Sequence, residues 1–368
     1  MIDPAGYADA EARAARAANS WTWQQMLSTS ALGDGRFPLR VNSILDLKPL
    51  VEGMNHARYQ LFLEERAGLR ESDLAEVTSV LRTYAMWYLR TFNDDRVILP
   101  FNTLMAYWVT QRKLSALLAH SGSGRHVLEI GGGAGMLAFF VAQARSTHHF
   151  SQIEIAPSFY VLQSLVNAHL FGTGFDNRAV PVDQSLGLES MIMASRKSLT
   201  TLEPVVRVPM EVKKTATLYP WWTLDEALAP STTYDVVISN GNTFEMTYGA
   251  FLTYYTTLPG CLAPHGVVLL QDLGAGRRAS EHDRLAGLID LGYRPLVFCE
   301  RGNGDRPLAN ANVLLVRDTH PLWDEAARDF ETEHFPSHVP LVRAVFGLDE
   351  APGRMVSRKE LIQRMAAG

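Results

Sequence analysis

The strongest constraint on the fold of this 368-residue chain is one segment, Val127-Leu128-Glu129-Ile130-Gly131-Gly132-Gly133-Ala134-Gly135, which runs directly into the apolar stretch 136–144. Residues 127–130 read as a buried strand and 136–144 as a helix. Glycines between the two let the backbone take positive φ and approach a ligand with no Cβ in the way. The helix that follows offers unpaired backbone N–H groups at its start. A buried strand needs partners on both sides and helices to cover it, so the segment demands a layered α/β architecture with a nucleotide-type cofactor site at the turn.

The rest of the chain supplies those partners. Short apolar runs at 150–155, 236–239, 267–271, 296–299 and 313–316 alternate with helical stretches such as 158–171, the pattern of βαβ units in a mostly parallel sheet with helices on both faces. Residues 300–310 are rich in Gly, Asn, Asp and Pro. They lack helical periodicity, so the last two runs form a hairpin that puts one antiparallel strand at the edge. More chain separates 171 from 236 than the roughly 30 residues of one βαβ step. The third strand is placed at 215–219, with 179–182 as the competing position, and 172–212 reads as a substrate-facing insertion. Ahead of the sheet, apolar residues recur at helical spacing through Leu74, Val77, Leu81, Tyr84, Trp87 and Tyr88, and again over 101–118. Three regions follow: a helical N-terminal cap (1–110), a Rossmann-like domain (111–318) and a helical tail (319–368).

Two cofactor classes compete for the glycine turn. Gly133-Ala134-Gly135-Met136-Leu137-Ala138 satisfies the GxGxxA spacing of dinucleotide sites, which keeps an NAD(P)-dependent dehydrogenase open. Glu129 speaks against it: S-adenosylmethionine (SAM) has no phosphates but carries a cationic amino group and a sulfonium, which a carboxylate beside the loop can serve. Glu129-x-Gly131-x-Gly133-x-Gly135 resembles the first motif of class I SAM-dependent methyltransferases. Nineteen residues after Gly135, Glu154 ends the second strand, placed to accept hydrogen bonds from ribose hydroxyls of either cofactor.

A second segment sharpens the resemblance. Tyr234-Asp235-Val236-Val237-Ile238-Ser239-Asn240-Gly241-Asn242-Thr243-Phe244-Glu245-Met246 is similar to the fourth strand and Glu-Met ending of the sugar O-methyltransferases of bacterial carbohydrate and natural-product clusters. That family reads Asn-x-Asp-Ser-Phe-x-Glu-Met there. Here Asn242-Thr243 replaces Asp-Ser, and the residue before Glu245 that sets the spacing is missing. The resemblance covers residues 110–318. It implies a class I methyltransferase sheet under a helical cap, and transfer of a methyl group from SAM to a hydroxyl of a sugar or other small natural product. N- or C-methylation on the same fold stays open, as does a non-catalytic relative serving as a binding subunit.

Methyl transfer from a sulfonium is an in-line displacement, so the chain has to align the acceptor and remove its proton. Ligands of an open α/β sheet lie outside the carboxyl ends of its parallel strands, and this filters the candidates. His126, His148, His149 and His265 precede parallel strands, and His320 follows an antiparallel one, so they read as structural or surface residues. His169 sits late in a helix running away from that edge. His56, His282, His334 and His338 survive. Glu245 and Asp272 stand at strand ends on the ligand edge, where proton acceptance, cofactor contact and helix capping all compete. The catalytic candidates are therefore Glu245, Asp272 and His282. Those for the cofactor are Glu129, Gly131, Gly133, Gly135, Glu154 and Asn240. Asp272, Glu300 and Asp305 have no spacing that compels a metal, and none is expected. Tyr219-Pro220-Trp221-Trp222 offers aromatic faces for adenine or an acceptor ring, or equally for the core.

Composition narrows the partners. With 34 basic and 39 acidic residues the formal charge is −5, and no block of like charge appears, which argues against nucleic acid or an anionic membrane. No run approaches the about 18 apolar residues of a membrane span. Two cysteines, Cys261 and Cys299, make neither a disulfide framework nor a paired zinc motif. The Ala-rich, charge-bearing first residues lack the apolar core of a secretory signal. A cytoplasmic protein acting on a small-molecule acceptor is expected, with a homodimer open.

Overall fold

The computed structural model describes residues 2–17, 38–53, 59–121, 125–179, 214–243, 245–271, 278–299, 312–327 and 334–367. Eight strands form one sheet: β1 (His126–Ile130), β2 (His149–Glu154), β3 (Phe175–Asn177), β4 (Thr215–Pro220), β5 (Tyr234–Asn240), β6 (Leu262–Gln271), β7 (Arg294–Cys299) and β8 (Asn312–Val316). Their order is β3-β4-β2-β1-β5-β6-β8-β7. The first six in that order pair in parallel, and β8 runs antiparallel to both β6 and β7. This is the Rossmann-like sheet expected, doubly wound with an antiparallel end. The reversed strand is β8, wedged between β6 and the outermost β7. The order switches sides at β1, which pairs β2 on one flank and β5 on the other. That is where an open sheet opens a crevice for a ligand.

The third strand lies at β4, in register with β2 from His149↔Thr215 to Glu154↔Pro220. Outside it, β3 pairs with β4 over three residues. Thus the first residues of the stretch read as an insertion, 172–177, belong to the sheet edge. A three-residue strand carries too little alternation to be seen in sequence. The competing position 179–182 is no strand at residue 179, and 180–213 lies outside the described residues.

The helices that matter for the site are α1 (Pro4–Ala17), α2 (Lys48–Gly53), α3 (Tyr59–Glu65), α4 (Glu71–Phe92), α5 (Phe101–Ser121), α6 (Met136–Gln143) and α7 (Pro157–Phe171). Helix α5 runs unbroken across residue 110, so the boundary expected there falls within one helix. It is buried on nearly every turn and packs on β5, β6 and α6. Cap and sheet therefore share one hydrophobic core, with Trp87, Trp108 and Phe139 in a single cluster. The tail is fastened to the cap by ion pairs. Glu350 accepts from Arg66 at 3.0 Å and Arg112 at 2.8 Å. Arg82 donates to the last carbonyls of α12 (Arg358–Ala367), Arg364 O and Met365 O, both at 2.6 Å, satisfying groups that a helix C-terminus leaves unpaired. No helix among the described residues is long and apolar enough to cross a membrane.

Candidate functional site

Strand β1 delivers Glu129 and then the glycine loop to the carboxyl edge, between β2 and β5. The Gly131 N–H donates to Ile153 O at 2.9 Å, which ties the loop's entry to β2. Gly131, Gly133 and Gly135 take φ of 70°, 53° and 71°, the left-handed region that favours glycine. Gly135 caps the start of α6, and its N–H closes the turn on Gly132 O at 2.9 Å. A Cβ on Gly131 would lie 1.9 Å from Asn242 Nδ2. Asn242 covers this glycine while donating to Ile130 O at 2.8 Å.

Two buried carboxylates flank the loop. Glu129 Oε2 accepts from Gln152 Nε2 at 2.7 Å. Its Oε1, equally buried, has no hydrogen-bond partner among the described residues, a costly state for an acceptor away from water. Glu154 is internally satisfied: Oε1 accepts from the Ala156 N–H at 3.0 Å and Oε2 from Gln163 Nε2 at 2.8 Å. Gln163 also donates to Gly133 O at 2.9 Å, so Glu154 and the loop are braced by one side chain of α7. Burial pushes both carboxyls up to about 7, and for Glu129 the neighbouring Glu154 adds to the rise. From α5, the Tyr107 hydroxyl donates to Gly132 O at 3.3 Å. Its phenol is pushed up by burial and then by the charges of Glu129, Glu154 and Glu245. The charges of three expected site residues thus act on one tyrosine that the helical pattern concealed.

The remaining candidates divide. Glu245 follows β5 in a turn, its N–H donating to Asn242 O at 3.0 Å. The adjacent Met246 carbonyl is held by Arg284 Nη2 at 2.9 Å, from the helix that carries His282, α10 (Arg278–Asp290). His282 thus stands in the first turns of that helix. Asp272, Glu300, Asp305 and His56 lie outside the described residues. Asn240 lines a small cavity under α5 with Glu65, Thr110, Lys113, Gln271 and Asn312. Sequence reasoning passed over this cluster. Its one visible signal was Lys113, which with the adjacent Arg112 puts charge inside the otherwise apolar helical stretch 101–118. The aromatic run ending β4 serves packing: Trp221 Nε1 donates to Glu11 at 3.2 Å, and Trp222 lies 5.2 Å from Tyr7, docking α1 onto the sheet edge. His126 and His149 lie half-buried against each other at 4.3 Å on the opposite edge, and burial depresses His126 to about 3. Among the described residues no group of three or more His, Cys, Asp or Glu is arranged to hold a metal ion.

The raised carboxyls have a thermodynamic consequence. A carboxyl moved from 4.5 to about 7 on folding contributes stability that is fully present below pH 4.5 and is lost as pH rises through 7. Between pH 6 and 8 each costs about 1 kcal/mol. Thermal melts of the ligand-free protein are expected to fall by a few degrees over that interval. Glu129→Gln and Glu154→Gln should each flatten the decline. A flat profile for the unaltered chain would mean that neither carboxyl is protonated at pH 6.

No protein-family model matches the chain, and no curated protein does. Several solved structures resemble it in part. Human methyltransferase-like protein 13, in complex with SAH, is 16% identical over 72% of this chain and 97% of its own, with a TM-score of 0.36. An O-methyltransferase from Bacillus cereus, also with SAH, is 11% identical over 66% and 91%, at 0.36. The ribosomal protein L11 methylase of Lactobacillus delbrueckii subsp. bulgaricus is 13% identical over 57% and 78%, at 0.33. At these scores the chain's own strand order remains the ground for its fold.

Proposed function

We propose that the chain is a SAM-dependent methyltransferase acting on a hydroxyl of a sugar or other small natural product. The observation that carries the cofactor is Glu129 Oε1, buried and unpartnered beside a glycine loop in the left-handed conformation. The donor set fits the group. Glu129 would face its cationic amino end, Glu154 its ribose hydroxyls, and the glycine loop leaves its backbone uncovered by side chains for close approach. When bound, SAM supplies an electrophilic methyl group on a sulfonium. The chain's own residues bind and orient it: Gln152 and Gln163 fix the two carboxylates, and Tyr107 holds the loop from above through Gly132 O. A hydroxyl acceptor is supported by the likeness of 234–246 to sugar O-methyltransferases, and Glu245, in that segment, lies on the ligand edge.

Calorimetric titration with S-adenosylhomocysteine (SAH), the demethylated product, tests the cofactor. Micromolar binding is expected. Glu154→Ala should weaken it about ten- to hundredfold, the 1.5–3 kcal/mol of a hydrogen bond to a charged group. Binding of NADH with none of SAH would assign the loop to a dinucleotide. Unchanged SAH affinity in Glu154→Ala would leave that residue a brace for Gln163 alone.

A further inference from the structure

Lys113 and Glu65 form a buried ion pair that the cofactor reading does not use. Lys113 is 1% exposed and Glu65 4%. The ammonium donates to Glu65 Oε1 at 3.1 Å and to Asn312 Oδ1 at 3.0 Å, which leaves one of its three N–H groups. Glu65 Oε2 accepts no hydrogen bond among the described residues. Gln271 spends its Oε1 on Thr110 Oγ1 at 2.9 Å, leaving its amide N–H groups, and the Asn240 side chain is also unspent. These groups line one cavity of about 20 Å³, room for a single water-sized group. Asn240 and Gln271 are the last residues of β5 and β6, and Asn312 is the first of β8. The cavity therefore lies at the carboxyl edge, where ligands of such sheets bind, one strand away from the glycine loop.

We propose that this cavity is the subsite that takes the acceptor's hydroxyl, with Glu65 as its proton acceptor and Lys113 as the donor that holds its oxygen. The proposal rests on the SAM reading above. The chemistry of the lining selects the group. A hydroxyl both donates and accepts, and so meets the free Glu65 oxygen and the spare Lys113 N–H together. A carboxylate would meet Glu65 with like charge, and an ammonium would meet Lys113 with like charge. The size admits one oxygen and no ring, so the body of the acceptor stays outside. In the transfer the hydroxyl oxygen forms its bond to the methyl carbon. The carbon–sulfur bond breaks with its electron pair left on sulfur, and the hydroxyl proton passes to Glu65 Oε2 and then to water. Lys113 stays hydrogen-bonded to the other carboxylate oxygen, Glu65 Oε1, at 3.1 Å.

The test follows a labelled methyl group from SAM to a panel of methyl glycosides, phenols, primary amines and carboxylic acids, alongside SAH titration of each variant. Glu65→Gln keeps a hydrogen-bonding partner for Lys113 and removes the base. It is expected to lower kcat on hydroxyl acceptors at least a hundredfold, within the range of a lost general base, and to abolish the rise of rate with pH on the acidic side of the profile. Its KM should stay within threefold and its SAH affinity should hold, while its melting temperature falls because Lys113 is left as a buried charge without its counter-ion. Gln271→Leu should raise KM instead. Full turnover by Glu65→Gln overturns the role of Glu65. Turnover of amines or carboxylic acids alone, or of no hydroxyl while SAH binds, overturns the subsite. Failure of the unaltered protein to bind SAH is the separate failure of the cofactor reading.

Discussion

Gly131→Val is expected to reduce SAH affinity at least a hundredfold and to destabilise the chain. Two independent costs meet at this position. The backbone sits at φ 70°, where a residue with a Cβ is strained by about 1–2 kcal/mol and a branched one by more. The new Cβ would also fall 1.9 Å from Asn242 Nδ2 and 2.3 Å from its Cγ, closer than any contact a protein tolerates. Asn242 would have to leave, breaking its bond to Ile130 O and pushing into the space above the loop. Calorimetry with SAH reads the affinity, and a thermal melt reads the stability. Gly131→Ala combined with Asn242→Ala separates the causes, since it removes the clash and keeps the strain. Recovery of binding in the double variant would mean that Gly131 makes room for Asn242 and not for the ligand. Binding of SAH by Gly131→Val at the original affinity would remove the loop from the site.

The loop was legible because its constraint is local. Left-handed backbone at Gly131, Gly133 and Gly135 needs glycine wherever the chain goes next, and Glu129 is one pleat from the turn in any strand. The same holds for β2, β5, β6, β7 and β8, whose buried faces show as apolar runs. Other features depend on contacts made far along the chain. Strand β3 is a strand only because β4 lies beside it. Tyr107 carries the ordinary mark of a buried helical aromatic, and nothing in its neighbours announces that its hydroxyl reaches the glycine loop at Gly132 O. Trp221 and Trp222 look alike in sequence for stacking or for core. What decides for packing is α1, more than two hundred residues earlier, whose Glu11 takes the Trp221 N–H. The cavity under α5 joins α3, α5 and the ends of three strands, so no short window of sequence holds more than two of its polar members.

Lys113→Ala is expected to lower stability by about 3–5 kcal/mol, the cost of leaving one member of a buried ion pair alone. The loss has little to do with attraction between the charges. Glu65, 4% exposed, would keep its carboxylate out of water with its strongest partner gone, and the bond from Lys113 to Asn312 Oδ1 would go as well. Packing adds to the cost, because the lysine stem runs past Phe346, whose ring lies 5.4 Å from the ammonium. Replacing both partners, Lys113→Met with Glu65→Leu, removes the stranded charge and should recover most of the stability. The double variant then carries a diagnostic burden of its own. A pair kept only to fasten the cap to the sheet could be exchanged for apolar contact at no loss of turnover, whereas a pair that receives a hydroxyl leaves a stable, SAH-binding protein with no transfer activity. Urea denaturation of the three proteins measures the first half of that expectation and labelled methyl transfer the second. A destabilisation below 1 kcal/mol in Lys113→Ala would show that water reaches Glu65 and that the cavity is not closed.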